Sequence, residues 1–76
     1  MTTTKIKINT FADVQIFVNT ITRFPFDIDL VSGRYIVDAK SIMGIYSLDL
    51  NDAIELRAHT EDAEELFAAI GQYIVK

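Results

Sequence analysis

The hydrophobic period switches repeatedly along the chain, and each switch marks an element. Lys5 to Asn9 alternates polar residues with Ile6 and Ile8, the pattern of a half-buried strand. From Phe11 to Thr22 the apolar residues fall at 11, 14, 17, 18 and 21, which is a helical stripe, although Val, Ile and Thr are weak helix formers. Thr10 stands where an N-cap belongs, and Asp13 takes the place that Glu or Gln fills in a capping box. Pro25 ends this helix, because it holds Phe24 in extended geometry. Phe26 to Val31 alternates again, with Phe26, Ile28 and Leu30 on one face and Asp27 and Asp29 on the other. Ser32-Gly33-Arg34 is a hairpin turn signal, and Tyr35 to Ala39 reads as the returning strand.

The second half repeats the scheme in shorter pieces. Ser41 to Leu48 predicts a short helix with Ser41 as its N-cap. Ala53 to His59 places Ile54, Leu56 and Ala58 on one face of a fourth strand. Thr60 is the expected cap of a last helix, with Glu61, Asp62 and Glu64 suiting the positive end of its dipole. Its apolar stripe is Ala63, Leu66, Phe67, Ile70 and Ile74. The order is β-α-β-β-α-β-α, with a right-handed crossover expected between the first two strands. Striped helices and alternating strands together predict an α+β open-faced sandwich, a four-stranded antiparallel sheet with its helices on one face. The first and fourth strands then run in opposite directions, so His59 and Thr10 fall at opposite ends of the sheet.

Composition narrows the function. Seventy-six residues without linker, repeat or low-complexity segment predict one domain over 1–76. Half of the residues are hydrophobic, which favours a folded globule over disorder. There is no cysteine, so disulfide and thiolate chemistry are excluded, and one histidine leaves no cluster for zinc. Eleven acidic residues against seven basic ones, net charge −4, disfavour nucleic acid, whose phosphates need clustered cations. No apolar run reaches the length of a membrane helix, and the first residues lack the apolar core of a signal peptide. A cytoplasmic protein with no membrane partner is expected. Asp27 with Asp29, and the acidic run from Glu61 to Glu65, read as solvated faces rather than metal sites. His59 reads as an exposed residue at a strand end.

Chemistry concentrates in Asp38 to Leu50, DAKSIMGIYSLDL, where a serine immediately precedes Ile42, Met43, Ile45 and Tyr46. Ser41 reads as a cap accepting from helix amides. A short helix cannot bury all four apolar residues. Met43, with Ile42 or Tyr46, is expected to be exposed, and exposed apolar patches commonly mark partner surfaces. Ile45 and Leu48 are the residues expected to join the core.

The run Ala39 to Leu50, taken with the element order, resembles the phosphocarrier HPr family of the bacterial phosphotransferase system. The likeness is densest from Phe17-Val18 to Leu50 and continues as a matching pattern through the last strand and helix. It implies an HPr-like fold with two family sites: a histidine at the start of the first helix that relays a phosphoryl group, and a regulatory serine at the start of the second. The serine falls on Ser41, flanked by Lys40 and by Ile42-Met43, so the resemblance implies that Ser41 is both a cap and a phosphorylation candidate whose dianion would sit at the positive helix end. The histidine position falls on or beside Thr10, with the family's arginine near Ala12 and its proline near Asp13. None of these three residue types is kept. A threonine beside an acid supplies neither a nucleophilic imidazole nor a cation to steady phosphate, and an N-cap accounts for Thr10.

The resemblance thus implies a non-enzymatic regulatory or docking protein with no cofactor and no metal. Lys40, Ile42, Met43 and Tyr46 are its candidate docking residues, with an HPr kinase-like enzyme or a transcriptional regulator as partner. The alternatives are a phosphocarrier with an atypical acceptor and an HPr-fold relic that dimerises through the second helix. Monomer or weak homodimer is the expected state.

Overall fold

Ile54, Leu56 and Ala58 lie fully buried in the strand that runs through the middle of the sheet, while Glu55 and Arg57 between them stay half-exposed. In the computed structural model, which describes residues 1–75, this strand (β4, Ile54–Ala58) separates β1 (Thr2–Ile6) from β2 (Ile28–Ser32). β3 (Tyr35–Asp38) forms the far edge, giving the order β1-β4-β2-β3 with every neighbouring pair antiparallel. The register stacks Thr4, Leu56, Leu30 and Val37 in one row, and Thr3, Arg57, Asp29 and Asp38 in the adjacent row of opposite facing. The first kind of row lies under the helices. The second forms an open face of mixed charge, on which Arg57 bonds Glu55 and His59 Nε2 donates to Asp29 Oδ2 across 2.7 Å. The α+β open-faced architecture, the antiparallel β1–β4 pair and the placement of His59 are as the sequence predicts.

Three helices cover the buried face: α1 (Phe11–Ile21), α2 (Ile42–Tyr46) and α3 (Glu64–Ala69), the last followed by a 3-10 turn at Gly71–Tyr73. Val14, Phe17, Val18 and Ile21 of α1 join one cluster with the sheet residues, Ile45, Leu48, Leu66 and Ile70. Gly33, at φ 59°, supplies the left-handed residue that the β2–β3 hairpin needs.

Several boundaries depart from the sequence reading for identifiable reasons. β1 begins at Thr2 instead of Lys5, since Thr2 to Ile6 pairs with Ala58 to Ile54. After Ile6 the chain turns to the C-terminal segment: Lys7 N donates to Tyr73 O, Val75 N to Lys5 O, and Ile6 bridges Ile74. Ile8 is buried as expected, although outside the strand. β2 starts at Ile28 and not at Phe26, because the Phe26 carbonyl is taken by the Lys40 ammonium. Thr60 does not cap α3. Its hydroxyl closes a local turn with Asp62, whose Oδ1 accepts from Glu64 N at 3.1 Å, and the capping position falls on buried Ala63. Glu61 and Asp62 therefore precede the helix, and Ile74 lies beyond it. Phe11, expected in the core stripe, is 70% exposed because the first residue of α1 projects past the buried cluster.

Tyr73, absent from the predicted stripe, packs its ring edge-on against Phe17 at 5.7 Å, and its buried hydroxyl has no partner among the described residues. A buried hydroxyl without a hydrogen bond costs stability. Tyr73→Phe is expected to raise unfolding stability by about 1 kcal/mol, read as a higher urea midpoint with an unchanged slope.

Candidate functional site

The segment joining β3 to α2 is fixed before the helix begins. Asp38 Oδ1 accepts from Lys40 N at 2.9 Å and the Asp38 carbonyl accepts from Ser41 N at 2.9 Å, turning the chain off the sheet edge. Ser41 is extended (φ −99°, ψ 108°), as an N-cap residue is, and its Oγ accepts from Gly44 N at 3.2 Å. A Cβ on Gly44 would stand 3.3 Å from both Ser41 Oγ and Val37 Cβ. The glycine thus lets α2 settle tightly on β3 and keeps its amide within reach of the serine. At the other end, Ser47 Oγ donates to the Gly44 carbonyl at 2.6 Å.

This short helix divides its apolar residues as the sequence predicts. Ile45 and Leu48 are buried, Ile42 is half-buried, and Met43 is 74% exposed. Tyr46 is exposed on the flank, where its ring meets Phe11 of α1 edge-to-face at 5.2 Å and 82°. Phe11 therefore extends the exposed apolar surface from α2 to the start of α1. The sequence carries no signal for this, since Phe11 sits in phase with a stripe that is otherwise buried.

Thr10 precedes Phe11, and its Oγ1 accepts from Asp13 N at 3.1 Å while its carbonyl accepts from Val14 N. Its hydroxyl is thus a cap of α1. The Phe11–Tyr46 contact brings this end of α1 beside α2, so Thr10 and Ser41 belong to the same region of the molecule. His59 does not, because β1 and β4 run antiparallel and it follows the β4 end that lies opposite Thr2.

Lys40 behaves differently from a free surface cation. Its Nζ donates to the Phe24 carbonyl at 2.7 Å and to the Phe26 carbonyl at 2.9 Å, clamping the turn around Pro25. Among the described residues no group of three or more acidic, His or Cys side chains could hold a metal ion, and no helix is long and apolar enough to cross a membrane.

Comparison with known proteins places this arrangement. The family model for the phosphotransferase-system HPr component phosphorylation site matches residues 13–76, beginning just after the Thr10 cap. HPr-C-His from Thermoanaerobacter tengcongensis has a similar structure, with TM-score 0.80 and 30% identity over 95% of this chain and 89% of that one. The phosphocarrier protein HPr of Bacillus anthracis gives TM-score 0.77 and 28% identity over 97% and 96%. Crh, the Bacillus subtilis catabolite repression protein whose crystal structure is a swapped, intertwined dimer, gives 0.66 and 28% over 93% and 88%. No curated protein sequence matches the chain. With a family model spanning most of the chain and a fold shared with crystallised HPr proteins, the chain belongs to the HPr family of the phosphotransferase system.

Proposed function

We propose that this HPr-family chain is a regulatory or docking protein that binds protein partners through α2 and has no histidine phosphocarrier activity. Phosphorylation of Ser41 is the switch in this reading. The observation that carries it is the pairing of a capping serine with an exposed apolar helix: Ser41 Oγ holds Gly44 N, and Met43 and Tyr46 stand exposed beside it. A phosphoryl group on that oxygen would place a dianion against the first amides of α2 and next to the apolar surface, changing what can dock there. Ile42 and Phe11 contribute to the same surface, whereas the Lys40 ammonium is committed to the carbonyls of the Pro25 turn.

The histidine site is read as lost. Thr10, at or beside the family's phosphohistidine position, uses its hydroxyl as a cap, and His59 stands at the other end of the sheet, hydrogen-bonded to Asp29. The protein would act in the cytoplasm without turnover or cofactor, as one HPr-like unit. Its partners would be an HPr kinase-like enzyme and a transcriptional regulator.

The test is direct. The protein is incubated with phosphoenolpyruvate and enzyme I, and separately with ATP and HPr kinase, and phosphate is located by mass spectrometry. Label at Ser41 in the second reaction only, lost in Ser41→Ala, is the expected result. Ser41→Ala also removes a cap worth about 1 kcal/mol, so Ser41→Asn, which preserves capping, serves as the folded control. Acid-labile phosphate on His59, or label on Thr10 from phosphoenolpyruvate, would overturn the reading in favour of a carrier with an atypical acceptor. Self-association through α2 is a second reading, supported by the exposed Met43. Light scattering across a concentration series distinguishes it.

A further inference from the structure

A groove of about 630 Å³ runs between the Phe24-Pro25-Phe26 turn and the start of α3. It uses none of the α2 surface. One wall consists of the two phenylalanines, whose rings lie 5.8 Å apart, tilted by 41°, and only partly buried. The other carries Asp62, Glu64 and Glu65, all exposed. Both walls are braced. Lys40 Nζ grips the carbonyls of Phe24 and Phe26, and Asp62 Oδ1 holds Glu64 N. The groove is therefore formed before anything enters it, which lowers the entropic cost of binding.

Its chemistry is one-sided. Among the described residues neither the Arg57–Glu55 ion pair nor the His59–Asp29 contact involves the three carboxylates, and Lys40, the cation bound to the aromatic wall, spends its ammonium on backbone carbonyls. The carboxylates are not grouped so that a metal ion could be shared. Partly buried aromatic rings lining the same groove as separated carboxylates suit a flat, weakly hydrated cation that can pack on a ring and bond a carboxylate at its edge. A guanidinium meets both demands, and an ammonium meets only the second well.

We propose that this groove binds an arginine side chain presented by a partner protein. The guanidinium lies against Phe24 or Phe26 and accepts no proton change; its N–H groups donate to Glu64 and Glu65. The groove shares no lining residue with α2, so a second protein could be held while α2 is engaged.

The test is a nitrogen-15 NMR titration of the whole chain with the blocked peptide acetyl-Ala-Arg-Ala-amide. Saturable shifts confined to Phe24, Phe26 and Glu64 to Ala68 are expected, absent with the citrulline peptide and weaker with the lysine peptide. Glu64→Gln combined with Glu65→Gln changes two exposed side chains, so the fold survives, and binding should weaken roughly tenfold or more, the scale of one lost charge-assisted contact. Shifts spread evenly over all acidic residues, equal shifts with citrulline, or no saturable shift would overturn the proposal. So would calcium chloride reproducing the same shifts at lower concentration, which would mark a cation site and not an arginine site.

Discussion

Phe17→Ala should remove about 3–5 kcal/mol of stability, the largest single-residue effect expected in this chain. Phe17 is fully buried, and its ring is the contact through which α1 meets the C-terminal turn, edge-on to Tyr73 at 5.7 Å. Truncation loses the transfer energy of the ring, leaves a cavity, and forfeits an aromatic pair worth about 1 kcal/mol. A domain of this size holds roughly 4–11 kcal/mol in total. The variant is therefore expected to be close to unfolding, with Tm lowered on the order of 15 °C or more. Urea denaturation followed by circular dichroism reads the loss. Phe17→Leu, which keeps most of the volume, should cost less than about 1.5 kcal/mol. A loss below about 1 kcal/mol for Phe17→Ala would show that the contact with Tyr73 does not anchor the C-terminal turn.

Lys40→Met is the second, with a loss of about 2 kcal/mol. Methionine keeps the length of the stem and removes the ammonium, so the carbonyls of Phe24 and Phe26 lose their donor together. Charged donors make stronger bonds than neutral ones, and partly buried carbonyls deprived of a partner are costly. Lys40→Arg should recover only part of the loss, because a planar fork does not reproduce the directions of three ammonium donors. The same variant loosens the aromatic wall, so arginine-peptide binding in the groove should fall with it. Unchanged stability together with unchanged peptide binding would show that the clamp contributes nothing in solution.

The contrast between these two residues shows what the sequence could and could not disclose. Phe17 sits in a helical stripe, and its burial follows from period alone, as does that of Leu30, Leu56 and Ile45. Ser41 as a cap and Met43 as an exposed residue follow from local spacing on a short helix. Lys40, by contrast, reaches carbonyls 14 and 16 residues upstream, and no local pattern announces a bond of that kind. The same holds for His59 with Asp29, which are 30 positions apart. The start of β1 is invisible in the sequence because Thr2 to Thr4 shows no apolar alternation; these residues are strand only through their long-range pairing with β4. Thr60 has the right chemistry for a cap, but its hydroxyl is used in the turn before α3, and residue type alone cannot tell these two uses apart. Phe11 is the instructive case for the site. Its period says core, and only the finite reach of the sheet beneath α1 leaves it outside, against Tyr46.

The two edges of the sheet are unequal. On β1, the backbone from Lys5 to Lys7 is occupied by the C-terminal segment, while β3 ends the sheet with Tyr35 and Ile36 exposed. Exposed strand edges are templates for further pairing, and a sheet open at both edges can extend without limit. Here growth is restricted on one side. Two copies joined β3 to β3 would carry β1 at each end of the combined sheet, with its Lys5 to Lys7 backbone already paired and only the short Thr2 to Thr4 stretch left for a further strand.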